Sequence, residues 1–350
     1  MNAGLFLFAA TVFCTLLIVL GWRFLPGERY QILASVPVTK QDAIHWRGIN
    51  FTWYGVLIAS SVTLAILLVL ILAAATGATL GPVLALLLLT VGLCVPAARL
   101  VARLVEKKQY TFTIGGAFFI GLAAIPLLIL LVNGGCLLLH VPPLDMRVML
   151  AALGIGYILG EGLGRLACVS FGCCYGKPLG QCGPLAGRLL NRLAFVFTGA
   201  TKKAVYEGNL AGIKLVPIQG LTCVLYTVTA LLACHLFLQG HYRAAFLLSL
   251  VVSQVWRVLS ETLRADFRGF TAISAYQKMG LAAIVYGGGL SLFLPASVSP
   301  LPDITRGLVL AFNPLLILGL QMLWCTLFFI FGRSMVTSAT LSFTVRQDRI

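Results

Sequence analysis

Three groups of residues carry chemistry out of keeping with their surroundings. Within the apolar run 149–171, Glu161, Arg165 and Cys168 fall at i, i+4 and i+7, on one face of a helix. Arg257, Glu261 and Arg264, in and just after the run 244–263, repeat that spacing. Cys173 and Cys174 follow the first run in a loop, Gly-Cys-Cys-Tyr-Gly, that closes on Gly176. A charge inside an apolar span costs several kcal/mol unless it is paired or hydrated. Two uses follow. One is an interhelical salt-bridge lattice that fixes packing. The other is a polar cavity in which guanidiniums grip a phosphate through their planar, bidentate fork. The cations Arg165, Arg257 and Arg264 outnumber Glu161 and Glu261, which favours an anionic ligand.

The ten cysteines divide by context. Cys14, Cys94, Cys136, Cys223, Cys234 and Cys325 lie in apolar runs and read as small hydrophobes. Cys168, Cys173, Cys174 and Cys182 gather around the polar segment. Vicinal cysteines followed by a gap lack the C-x2-C spacing of structural zinc sites, so no metal and no cofactor are expected. The four histidines, His45, His140, His235 and His241, lie elsewhere in the sequence. Thiol chemistry at Cys173 and Cys174, redox or acceptance of an acyl or glyceryl group, is a further use, since a vicinal disulfide would be strained and labile.

The elements that must position these residues are membrane helices. The chain has 350 residues, 60% hydrophobic and 10% charged, with mean hydropathy +1.00; a soluble domain carries about 25% charged residues. Continuous apolar runs, rather than alternation, select helices over a barrel. Nine spans are expected, at 3–22, 53–75, 80–101, 112–139, 149–171, 217–239, 244–263, 276–295 and 308–331. The first lacks the basic start and small-residue end of a cleaved signal peptide and is kept as a helix. The chain thus reads as one integral membrane domain over 1–350, all-α, a polytopic transmembrane bundle. Its largest polar interruption is 173–216. Gly154, Gly156, Gly160, Gly162 and Gly164 would let the fifth helix approach its neighbours closely. The net charge of +15 must lie mostly in short loops, where it sets topology or attracts anionic headgroups. With no soluble basic module, nucleic-acid binding is not expected.

Six segments in order resemble one family. GLGRLACVSFGCCYG is similar to the signature of bacterial prolipoprotein diacylglyceryl transferases, G-x-G-R-x-G-N-F-x-x-G-E-x-x-G. TWYGVLIA resembles the family's W-Y-G segment, IGGAFFIG its H-G-G-x-x-G, and VPIQGL its H-P-x-Q-L-Y. SQVWRVLSETLRADF resembles Y-G-x-x-R-x-x-x-E-x-x-R-x-D, and ISAYQ the I-S-x-x-Q after it. The resemblance covers about 51–290. It implies a seven-helix core to which the first and last spans are additions, in a multi-pass protein of the bacterial cytoplasmic (inner) membrane.

The resemblance further implies transfer of the diacylglyceryl group of phosphatidylglycerol to the lipobox cysteine of a preprolipoprotein. The partners implied are phosphatidylglycerol or another anionic phospholipid, the preprolipoprotein and the bilayer. Arg165 and Arg257 would face the phosphate, Glu261 would orient Arg257 or Arg264, and Tyr54 would donate a hydrogen bond to the lipid. Glu161, Arg264, Gly115, Gly116, Gly176 and Gln219 are expected to line the substrate site. The chain also departs from the pattern. Ile114 and Val216 stand at family histidines, Cys168 at the asparagine, Cys173 at the glutamate and Leu221 at a tyrosine. Isoleucine carries no proton, whereas a cysteine could act if Arg165 lowered its pKa. A member altered in this way could instead bind or transport anionic phospholipid. The basic stretches 23–47 and 99–108 would face outward in the family orientation, against the positive-inside rule.

Overall fold

The computed structural model describes residues 2–106, 114–265, 274–294 and 301–350. From the N-terminus, α1 (Ala3–Phe24) leads into an antiparallel hairpin of β1 (Ile32–Lys40) and β2 (His45–Thr52). Then come α2 (Trp53–Ala75), α3 (Leu80–Glu106), α4 (Ile114–Leu138) and α5 (Met146–Phe171). The polar segment holds α6 (Pro184–Leu190), α7 (Lys203–Tyr206) and the two-residue strands β3 (Phe195–Val196) and β4 (Lys214–Leu215). After it run α8 (Ile218–Leu238), α9 (Tyr242–Thr262), α10 (Ala275–Phe293), α11 (Ile304–Ala311), α12 (Pro314–Gly332) and β5 (Arg333–Ser342).

The chain is a polytopic helical membrane protein, and eight described helices have the length and apolarity to cross a bilayer. The eighth expected span, 276–295, is helical as α10 but is not among those eight helices, and its residue 295 lies outside the described residues. The span expected at 308–331 is broken. Asn313 accepts hydrogen bonds from the Leu315 and Leu316 amides and starts α12 afresh, and Pro314 at its first position has no N–H with which to continue α11.

The sheet was not foreseen. β2 lies between β1 and β5, and Trp46 pairs with Leu341 in the register. The hairpin turn is set by Asp42, whose carboxylate accepts from the Ile44 and His45 amides and contacts His45 Nδ1 at 2.8 Å. Those hydrogen bonds hold the Asp42 carboxyl down at about 2.

Helix α5 is the axis of the bundle. Two thirds of its apolar window (67%) is buried, against 6% for α1, which turns most of its surface outward. It packs on α2, α8 and α9. The close approach expected from its glycines is present: a Cβ on Gly156 would sit 2.3 Å from a Val69 methyl, and one on Gly160 2.9 Å from Ala65. Met149, Ile155, Leu86, Ile129 and Phe237 form the heart of the core.

Candidate functional site

Tyr157, Glu161 and Arg165 share one face of α5, four residues apart. Glu161 is buried to 1% and organises the centre. Its carboxylate accepts from the Tyr157 hydroxyl and from Arg165 Nη2 on its own helix. Across the interface, Arg257 of α9 donates from Nη2 to both carboxylate oxygens, at 2.9 and 2.7 Å, and to the Tyr157 hydroxyl at 2.7 Å. Two guanidiniums thus meet on one carboxylate, leaving a net charge of +1 in a nearly closed environment.

The donor count is also incomplete. Among the described residues, Nε of Arg165 and Nε of Arg257 are buried without a hydrogen-bond partner. A buried donor left unsatisfied costs about 1–3 kcal/mol, and an anion with several acceptor oxygens is the group that would relieve it. Gly115 of α4 makes the room: a Cβ there would lie 2.7 Å from Arg257 Nη1. Gly116 is buried beside it. Phe118 packs on the Tyr157 ring at 4.3 Å between centroids.

The expected Arg257–Glu261 pairing gives way to a longer-range one. Arg257 takes Glu161, 96 residues away, while Glu261 accepts from the Ser274 hydroxyl. Ser274 is also the N-cap of α10, in a capping box with Gln277 whose Nε2 reaches the Val258 carbonyl at 3.0 Å. The Ser-x-x-Gln motif therefore joins α10 to the end of α9. Arg264 forms a backbone bridge with Gly176, which itself packs on the Val216 carbonyl; a Cβ on Gly176 would sit 2.4 Å from that oxygen.

The chain leaves α5 through Gly172, in the left-handed region at φ +71°. This reversal returns Cys173 N–H to the Cys168 carbonyl at 3.1 Å. The fold gathers the thiols more closely than their spacing in the sequence conveys: the sulfurs of Cys168, Cys173 and Cys174 all lie within 4.8 Å of one another. None is in a disulfide. Cys182 instead turns its sulfur to the Pro178 carbonyl. Gln219 Nε2 donates to the Cys173 carbonyl at 2.9 Å, and its buried Oε1 has no partner among the described residues. Tyr54, at the first turn of α2, meets Phe171 edge-on at 5.8 Å and lies within electrostatic range of Arg165 and all three thiols.

Two residues of this region escaped the sequence reading. Tyr157 precedes Glu161 by one helical turn, a signal that was present and unused. Lys202 gave no signal. Its ammonium is buried and donates to the Leu25 carbonyl at 3.1 Å and the Ser170 carbonyl at 2.6 Å, tying the C-terminal ends of α1 and α5. Burial pulls this lysine down to about 8, partly offset by Glu28. The side chain of Ile114 and residues 266, 267 and 273 of the matched motifs lie outside the described residues.

A family model described as prolipoprotein diacylglyceryl transferase matches residues 41–293. The match runs from the hairpin to the end of α10 and takes in all six motif segments. A comparison with curated proteins returned no match.

Proposed function

This chain belongs to the prolipoprotein diacylglyceryl transferase family, and from that premise we propose that it moves the diacylglyceryl group of phosphatidylglycerol to a lipobox cysteine. The observation that carries the reading is the centre on Glu161, with two arginines, one excess positive charge and two unused Nε donors. In the reaction the acceptor sulfur bonds to the glyceryl carbon and the carbon–oxygen bond to phosphate breaks. The phosphodiester carries one negative charge; the glycerol phosphate that leaves carries nearly two. Arg165 and Arg257 meet that added charge, so they favour the transition state over the bound lipid.

Glu161 is a positioning residue in this reading. It fixes both guanidiniums and makes no contact with substrate itself. Tyr54 donates to the lipid, Gly115 and Gly116 keep space open beside Arg257, and Gln219 and Gly176 hold the loop that closes the site. Arg264 lies at the rim, and Glu261 braces α9 through Ser274. The core at 51–290 does the chemistry, flanked by α1, α12 and the sheet, in the bacterial cytoplasmic membrane.

The test is expression in cells depleted of their own transferase, following the mass of a reporter lipoprotein. A diacylglyceryl increment that disappears in Arg165→Ala is expected. Absence of the increment from correctly inserted wild-type protein would sink the reading and leave an anionic-phospholipid binder or transporter.

A further inference from the structure

Three thiols around one point, beside the anion-binding centre, ask for a role beyond packing. Their carriers are held firmly. Cys168 lies in the last turn of α5; Gln219 fixes the Cys173 carbonyl; Cys174 is held in the left-handed region at φ +55°. The following residues are tied to the end of α9 by Ala265 N–H to the Tyr175 carbonyl and Lys177 N–H to the Leu263 carbonyl, at 3.1 and 3.0 Å. Cys168 is buried and the other two are half-buried. Zinc–sulfur bonds of about 2.3 Å place tetrahedral sulfurs roughly 3.8 Å apart. The triad, with its sulfurs within 4.8 Å, needs only a contraction on the order of 1 Å to reach that spacing.

A structural zinc site closes with four protein ligands, whereas a catalytic one has three and an open position. Among the described residues, no fourth histidine, cysteine or carboxylate joins the cluster. The transferase reaction needs a thiolate nucleophile, and the residue at the family's histidine position is Ile114, which cannot take a proton. A thiol that coordinates a metal is deprotonated outright.

We propose that Cys168, Cys173 and Cys174 hold a thiophilic d10 cation of the zinc class, and that its fourth position receives the acceptor cysteine's thiol; the second part rests on the transferase reading above. The thiol releases its proton to solvent on binding. The sulfur lone pair then forms the bond to the glyceryl carbon, and the electrons of the broken carbon–oxygen bond leave on glycerol phosphate, held by Arg165 and Arg257. Thiol plus phosphatidylglycerol gives thioether, glycerol phosphate and one proton. The neutral thioether is a weak ligand and makes way for the next thiol.

The test uses the full chain, reduced and purified in detergent. Elemental analysis after anaerobic loading with zinc should find about one ion per chain, falling to background in the Cys168→Ser, Cys173→Ser, Cys174→Ser triple variant. The single variant Cys174→Ser, checked for an unchanged unfolding temperature, should bind zinc on the order of 100-fold more weakly. With cobalt in place of zinc, a lipobox peptide should strengthen the sulfur-to-metal absorption, and the same peptide with serine for cysteine should not. Zinc absent from folded wild type, or retained in the triple variant, overturns the site. Zinc bound with no spectral response to the peptide thiol overturns the acceptor role. Transfer at full rate in metal-free protein also overturns that role while leaving the transferase reading intact. A cobalt response without transfer supports the metal site and sinks the transferase reading.

Discussion

Two buried cation sites stand near each other around α5, and they are built on opposite principles. At Glu161 two guanidiniums converge on one carboxylate, with a charge in excess and two Nε donors unused. At Lys202 one ammonium meets the Leu25 and Ser170 carbonyls, at the negative ends of two helix dipoles. A neutral lysine amine still has a hydrogen for each carbonyl, so both carbonyls are satisfied in either protonation state. The first site has charge and donors to spare; the second is a clasp between α1, α5 and the polar segment. Burial of a charge does not by itself separate a ligand site from a structural one. The inventory of donors and acceptors does.

Removing the shared carboxylate should break this contrast most strongly. Glu161→Ala leaves two buried guanidiniums facing each other, and breaking a buried pair costs about 3–5 kcal/mol. A large fall in detergent unfolding temperature is expected together with loss of transfer, and added anionic phospholipid should recover part of the stability. No loss of stability would mean that Glu161 does not hold the arginines together.

Arg257→Lys keeps the charge and discards the fork. We expect transfer to fall by about 100-fold or more, with a much smaller change in unfolding temperature. Equal rates in mutant and wild type would remove Arg257 from the phosphate site.

Lys202→Met should do the reverse. Two carbonyls lose their donor, which lowers stability by about 1–3 kcal/mol, while the rate per folded molecule at low temperature stays within about twofold of wild type. A specific loss of turnover would make the clasp part of the site after all.

The same lysine should also give a pH slope. Lys202 sits at about 8 in the folded protein, below its unfolded value, so the penalty for charging it is fully present below pH 8. Stability contributed by this group should rise as the pH climbs from about 8 toward 10.5, where the unfolded lysine also loses its proton. The slope is read as wild type minus Lys202→Met, so that contributions common to both proteins cancel. A flat difference would show that the folded lysine keeps its proton.

Local periodicity carried much of this protein. The apolar runs located the membrane helices, and the i, i+4 spacing placed Glu161 and Arg165 in contact. Such features depend on the helix repeat, which the order of residues alone sets. Ser274 and Gln277, by contrast, were matched only as a family motif, and their capping of α10 and service to α9 came from the structure.

Only the tertiary structure decided the partners. Arg257 pairs with Glu161 rather than Glu261 because α5 and α9 pack at a depth no spacing within one helix encodes. Cys168 meets Cys173 and Cys174 because the chain reverses at a left-handed glycine and is then pinned by Gln219 from α8. The sheet joins strands 287 residues apart at Asn50 and Thr337, and alternation inside a basic stretch gave no hint that β5 would complete it. One-dimensional pattern fixes which face a side chain takes. The depth and register at which faces meet come from packing, and in this protein they decide where the charge excess and the three thiols lie.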